Sequence, residues 1–174
     1  FSIDKDLYSK NINKNIDSKK NAVGFCGAID LKSGGSLYEP RTKALQHLER
    51  YKIANSTVIK NHAGILLKRK LGSEYIKFLS ENMFGLTCGA TCNYFTAKYI
   101  EIPAAYSMLV CNDTCGLEVL PSGSYIKYDP ENLGGLYRQI LLHINNKELY
   151  GEKLDYLHNF VMENHNHDVR AKRF

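Results

Sequence analysis

The sequence predicts an α/β fold with one parallel sheet and helices on both of its faces. Three observations carry the prediction. Apolar runs at 22–29, 57–60, 83–88, 108–111 and 125–128 read as strands. Helical patterns separate these runs, so strand and helix alternate about five times, as βαβ units require. The run Met108-Leu-Val-Cys111 is apolar throughout, which suits a strand covered on both faces rather than a half-exposed antiparallel one.

Taken in order, residues 1–20 are rich in Lys, Asn, Asp and Ser, with Ile at 3, 12 and 16. They read as a flexible tail or an interdomain linker with little core potential, ahead of a single domain over 21–174. The first strand, 22–29, ends in a glycine-bearing turn at Gly27 and the loop Lys32-Ser-Gly-Gly-Ser36. Pro40 opens a helix whose apolar face is Ala44, Leu45, Leu48 and Tyr51. Strand, glycine-containing loop and helix N-terminus form a possible anion cradle, although the strict G-x-G-x-x-G pattern is missing. A short strand at 57–60 leads to a loop containing Asn61, His62 and Gly64; His62 reads as surface or as a ligand contact. Ser73 is expected to cap a helix that carries Tyr75, Ile76 and Leu79 inward and ends near Glu81. Strand 83–88 and loop 89–94 precede the stretch 93–112, an amphipathic helix running through small residues into a buried strand. A polar loop at 111–116 and a helical turn at 117–120 come next. The strand at 125–128 is followed by Asp129-Pro-Glu, which reads as the start of a helix reaching about His143. A last helix covers about 147–163, with 168–174 as its continuation. No internal repeat is visible.

Composition narrows the classes. The length of 174 residues suits one domain with a real core. No apolar run reaches the ~18 residues of a membrane span. No signal peptide is recognisable. The sequence begins with Phe1 rather than Met, so an excised piece of a longer chain is one reading. A net charge of +5, with the short clusters Lys68-Arg-Lys70 and Arg170-Ala-Lys-Arg173, reads as a solvated surface or as attraction to an anionic partner. No nucleic-acid motif accompanies the charge, and no such partner is expected. Five cysteines, an odd number without secretory features, favour a reducing cytoplasmic setting. Cys88/Cys92 and Cys111/Cys115 make two C-x3-C pairs, which read as small buried hydrophobes at strand ends or as a zinc site; no metal is assigned.

In parallel α/β sheets ligands bind beyond the carboxyl ends of the strands. The polar loops 27–38, 61–64, 89–96 and 112–116 then share one rim. Lys98 and Glu101 lie on the helix of the organising stretch. A carboxylate and an ammonium at that rim suit a ribose and a phosphate. An exposed i,i+3 pair is the alternative that spacing allows.

Several stretches together resemble the nucleotide-sugar-binding half of GT-B glycosyltransferases. They are Val23-Gly-Phe-Cys-Gly-Ala-Ile29 with Tyr38-Glu-Pro-Arg41, Tyr75-Ile-Lys-Phe-Leu-Ser-Glu-Asn82, Tyr128-Asp-Pro-Glu-Asn-Leu133, and the more specific 94–110. The resemblance spans about 22–174 and is nearest to the family 1/family 4-like group of spore-maturation and capsule enzymes. Tyr94-Phe-Thr-Ala-Lys98 also resembles a fucosyltransferase donor site. The resemblance implies a Rossmann-like sheet, half of a GT-B fold, and metal-independent transfer of a sugar from a UDP-, GDP- or dTDP-linked donor to a glycan or protein acceptor. It implies no cofactor, and an N-terminal acceptor-binding domain or subunit. Carried over by position, Glu101 accepts hydrogen bonds from the ribose hydroxyls and Lys98 neutralises the departing diphosphate. Asn93, Tyr94, Phe95 and Thr96 line the donor, with Thr96 and the 94–96 backbone donating to phosphate. Gly27 lets the backbone approach the ligand, and Arg41 is a further phosphate contact. Asn93 stands where many members carry a second glutamate, and Tyr106-Ser107 stand where the turn usually has glycine.

Two other classes compete. One is a nucleotide- or nucleotide-sugar-binding module without its own catalysis, working with a partner. The other is a receiver-like or dehydrogenase domain. Asp30 alone is thin support for a receiver, and the dehydrogenase glycine fingerprint is missing.

Overall fold

A computed structural model of the chain describes residues 1–29, 37–60 and 72–172, with the backbone alone over 57–60. The loops containing Lys32, His62 and Lys68, together with Asp30 and Arg173, lie outside the described residues.

Five strands, β1 Lys20–Ile29, β2 Ala54–Lys60, β3 Asn82–Leu86, β4 Met108–Asn112 and β5 Ile126–Tyr128, form one sheet in the order β2-β1-β3-β4-β5. All neighbouring pairs are parallel. Every residue of β3 and β4 is buried, as a doubly covered strand demands. Connections leave β1 towards opposite edges, so the sheet has a topological switch between β1 and β3. The crevice for a ligand opens there, beyond the carboxyl ends.

Two apolar layers sandwich the sheet. On one face, α2 (Glu39–Arg50) and α5 (Leu136–Asn145) pack Leu45, Leu48, Leu136 and Ile140 against Phe25, Phe84, Met108 and Val110. On the other, α3 (Gly72–Ser80) and α4 (Lys98–Ala104) pack Ile76, Leu79, Ile100 and Ile102 against Leu109 and Cys111. The long helix α6 (Lys147–Asn164) serves both layers: Tyr150 and Leu154 join the first cluster, Leu157 and Val161 the second.

Three regions differ from the sequence expectation. Residues 1–20 contribute more to the core than their composition implied. Ile3 bridges to Asn166, and both Ile3 and Tyr8, on α1 (Lys5–Ser9), are buried. Asp129-Pro-Glu does not start α5. The Asp129 carboxylate accepts from the Glu131 amide at 2.9 Å, closing a local turn, and a single 3₁₀ turn over Leu133–Gly135 precedes the helix. Finally, α7 (His167–Ala171) is separate from α6, because the Asn166 side chain caps it by accepting from the Val169 amide at 2.9 Å. Among the described residues no helix is long and apolar enough to cross a membrane.

Candidate nucleotide site at the carboxyl rim

Lys98 opens α4, and its ammonium reaches across to β1, where it donates to the carbonyl of Cys26. It lies 5.8 Å from the Phe25 ring centroid and 5.7 Å from that of Tyr75. Gly27 makes this reach possible. A Cβ there would stand 3.0 Å from Lys98 Nζ and 3.3 Å from Phe25 Cζ. Arg41, in the first turn of α2, is buried with its guanidinium 3.7 Å above the Tyr38 ring and 5.5 Å from that of Phe25. Burial lowers the pKa of Lys98, and the Arg41 charge lowers it further. Arg41 is lowered as well, chiefly by burial. Two cations, each partly stripped of water and repelling the other, form a local positive field beside the switch point.

Glu101 lies one turn along α4 and is half-buried. Burial raises its carboxyl above the ordinary range, while the Lys98 ammonium and the nearby Tyr75 hydroxyl oppose that rise. Both groups of the organising helix therefore face the interior of the rim rather than forming an exposed surface pair.

Among buried side-chain atoms without a hydrogen-bond partner are Arg41 Nε, Thr87 Oγ1 and Thr96 Oγ1. Thr87 directly follows β3, Thr96 directly precedes α4, and Arg41 sits beyond β1. Orphaned buried polar atoms are uncommon and each needs an explanation. These three lie on the rim that also carries the Lys98 ammonium, an arrangement suited to an anion rich in acceptor oxygens. The loop between β3 and α4 is held close to the next loop. Tyr94 pairs with Cys115, whose amide donates to the Asn93 carbonyl at 3.1 Å. Gly89 is required there, since a Cβ would come within 2.8 Å of the Thr114 Cβ.

The structure thus brings Gly27, Arg41, Lys98 and Glu101 together, with Thr96 at the start of the same helix. It does not bring every expected contact to the crevice. The Phe95 ring stacks on Tyr99 with centroids 4.8 Å apart and packs on the core. Asn93 and Tyr94 are exposed on the loop, Asn93 with a left-handed φ of 53°. Sequence reasoning missed Tyr75 and Thr87 as neighbours of the site: one read as an inward helix residue, the other as a strand residue. The C-x3-C pairs split, with Cys88 and Cys111 buried and Cys92 and Cys115 exposed. Among the described residues no three His, Cys, Asp or Glu side chains converge as a metal site would need.

No family model matches the sequence, and no curated protein matches it. Solved structures do match. An alpha-glucosyltransferase in complex with UDP and a 13-mer DNA superposes with a TM-score of 0.67 at 12% identity, over 99% of this chain and 58% of that one. The C-terminal domain of a group 1 family glycosyl transferase from Francisella tularensis superposes with a TM-score of 0.64 at 11% identity, over 95% of this chain and 99% of that domain. The fold is that of a GT-B glycosyltransferase C-terminal domain. Anabaena HepE, in complex with UDP-glucose, agrees with a TM-score of 0.65 at 11% identity over 99% of this chain and 54% of its own. The chain spans 58% of the first of these structures and nearly all of the isolated GT-B domain. At such identities the likeness is one of fold.

Proposed function

We propose that the carboxyl rim binds the nucleoside diphosphate of a nucleotide sugar, and that the chain is the donor-binding half of a glycosyltransferase. One observation carries the reading: a buried Arg41 and a half-buried Lys98, whose charge Arg41 disfavours, share the switch-point rim with orphaned buried polar atoms. A diphosphate supplies what that arrangement lacks, namely negative charge and several acceptor oxygens. Glu101 then accepts from the ribose hydroxyls, because an ionised carboxylate can accept from both members of a diol. When the sugar is transferred, the bond between the anomeric carbon and the diphosphate oxygen breaks. Lys98 and Arg41 stabilise the charge that develops on that oxygen. With two fixed cations in place the reaction needs no metal.

The fold match to glycosyltransferases favours an enzyme half over a binding module. A glycan or protein acceptor is held by an N-terminal domain or partner subunit, consistent with the share of the longer structures that this chain spans. Five free cysteines fit a reducing, cytoplasmic setting.

Calorimetry with UDP-, GDP- and dTDP-linked sugars tests the reading. Saturable binding of at least one donor, lost in Glu101→Ala, is expected. If the folded chain binds none of them, or if Glu101→Ala binds equally well, the reading is wrong. Acceptor-dependent release of nucleoside diphosphate, measured with the N-terminal half present, separates transferase from binding module.

A further inference from the structure

A pocket of about 380 Å³ lies between the N-terminal segment and α6, away from the rim. Lys5, Ser9 and Lys14 line it from the segment, and His158, Asn159 and Glu163 from the helix. Lys14 and His158 meet on the ring of Tyr106, just ahead of β4. The Lys14 and Lys19 ammoniums stand 5.5 Å and 5.3 Å from its centroid, and the His158 ring meets it edge-on at 5.0 Å. Tyr106 is held there by its hydroxyl, which donates to Asp155 at 2.5 Å. His158 is 3% exposed, yet only one of its ring nitrogens is engaged, Nδ1 with the Pro103 carbonyl at 2.9 Å. A carbonyl can only accept, so Nδ1 carries the proton and Nε2 of the neutral ring is a bare acceptor. Among the described residues Nε2 makes no hydrogen bond, and it is not sealed in the core, so its open side is the pocket that the ring lines. Lys5 and Lys14 enter no ion pair among the described residues.

We propose that this pocket is a separate binding site for a small oxyanion that carries its own O–H, of the phosphate or phosphomonoester class. The Lys5 and Lys14 ammoniums give charge-assisted hydrogen bonds to the anion's oxygens. A neutral His158 needs a donor opposite Nε2, and a P–OH group supplies one; sulfate and carboxylate ions have none to give. The ring stays neutral at pH 7, because burial and the Lys14 and Lys19 charges bring its pKa below the ordinary 6.5 against the pull of Asp155 and the bond to Pro103. Glu163 is the one carboxylate in the lining, and the two ammoniums outnumber it. The volume exceeds that of a bare ion and falls at the small end of the ~300–1,000 Å³ typical of ligand pockets, so a short organic group on the phosphate also fits. The Ser9 hydroxyl and the Asn159 amide offer that group polar contacts. The site shares no residue with the nucleotide rim, and the inference does not depend on that reading.

Proton–nitrogen NMR of the His158 ring reads the site directly, at constant ionic strength in a buffer free of oxyanions. With inorganic phosphate as the probe at pH 7, the Nε2 resonance should shift saturably, and the His158 titration should move to higher pH. Sulfate should bind about tenfold more weakly at pH 7, the loss of one hydrogen bond in a charged complex. That gap should close as the pH falls through the His158 titration, because protonated Nε2 then donates. Lys14→Met, at an exposed position, should keep the wild-type melting temperature and weaken phosphate about tenfold. His158→Asn keeps a donor for Pro103 and removes Nε2; read from the backbone amides of 158–163, it should abolish the preference for phosphate over sulfate. Lys98→Ala should leave the His158 response intact, which separates this pocket from the rim. Glycerol phosphate bound at the same pocket assigns it to phosphomonoesters, and binding of inorganic phosphate alone assigns it to the free ion. Shifts that do not saturate would overturn the inference, as would sulfate binding as tightly as phosphate at pH 7. Unchanged phosphate binding in folded Lys14→Met would reduce the site to an adventitious ion only.

Discussion

The two ends of the sheet handle buried polar groups in opposite ways. At the amino ends of the strands Lys19, Ser107 and Asn82 find partners within the chain, although the ring nitrogens His47 Nε2 and His143 Nε2, on the last turns of α2 and α5, do not. Buried Lys19 donates to the carbonyls of Ser80 and Tyr106, the latter at 2.8 Å. The Ser107 hydroxyl donates to the Asn82 carbonyl at 3.1 Å. The Asn82 amide donates to the Phe78 carbonyl at 2.6 Å, and its oxygen accepts from Asn55 at 2.8 Å. At the carboxyl ends, Arg41 Nε, Thr87 Oγ1 and Thr96 Oγ1 are left without partners, and two cations crowd each other. A buried donor or acceptor without a partner costs about 1–3 kcal/mol. The contrast separates the polar groups that hold the fold together from those that await something from outside. Lys19 is buried with two backbone acceptors, whereas Lys98 is half-buried with one, the Cys26 carbonyl, and has Arg41 as a neighbouring like charge.

Lys98→Ala is expected to have the largest effect, and only on binding. UDP affinity should fall by roughly 2–5 kcal/mol, as for truncation of one partner in a buried charge pair. Thermal stability should hold or rise, because the variant removes a cation that burial disfavours. Calorimetry and thermal melting on the same samples check both halves. A large stability loss would place Lys98 with Lys19 instead.

Lys19 gives the mirror result. Lys19→Met should leave UDP affinity unchanged and alter the pH dependence of folding. Burial brings the Lys19 ammonium down to about 8 from its ordinary 10.5. A depressed folded value means that its contribution is most favourable above 10.5 and is lost as the pH falls towards about 8. Wild type should therefore gain on Lys19→Met between those two pH values, by on the order of 3 kcal/mol. Urea titrations at both ends of the window measure the gain; a gap that does not change with pH contradicts it.

Thr96→Val sharpens the comparison at lower amplitude. It removes an orphaned hydroxyl, so stability should be unchanged or slightly higher, while UDP affinity should drop by about 1 kcal/mol. A smaller effect is expected in the pH profile of UDP binding, which needs Glu101 ionised and Lys98 protonated. Glu101 is raised by burial, so the acid limb should begin above the ordinary 4.5. Lys98 is lowered by burial, so the alkaline limb should end below the ordinary 10.5.

The sheet was legible where burial is two-sided. The apolar runs in β1, β3 and β4 announce themselves, because doubly covered strands admit no polar alternation. The start of α5 was not legible. Asp129-Pro-Glu carries the letters of a helix cap, yet the Asp129 side chain bonds only two residues ahead, and Gly134 and Gly135 delay the helix. Ile3 and Tyr8 were missed because two apolar side chains in a polar stretch give no periodicity; long-range packing against other elements buries them. At the candidate site, Lys98 and Glu101 were singled out in the sequence because a lone acid and base stand out on an otherwise apolar helix. Thr87 and Tyr75 were not, because a threonine at a strand end and a tyrosine on a helix face look alike with or without a ligand. Phe95 was placed on the donor, but its stacking on Tyr99 turns the ring to the core.

Mapping of backbone amide NMR shifts during a UDP titration sets the two ends of the sheet directly against each other. The account predicts perturbations centred on Gly27, the first turn of α2, and 87–101, with Lys19–Lys20, 80–82 and 106–107 unmoved. Shifts confined to the amino-end residues, or none at millimolar UDP, GDP and dTDP, would contradict it.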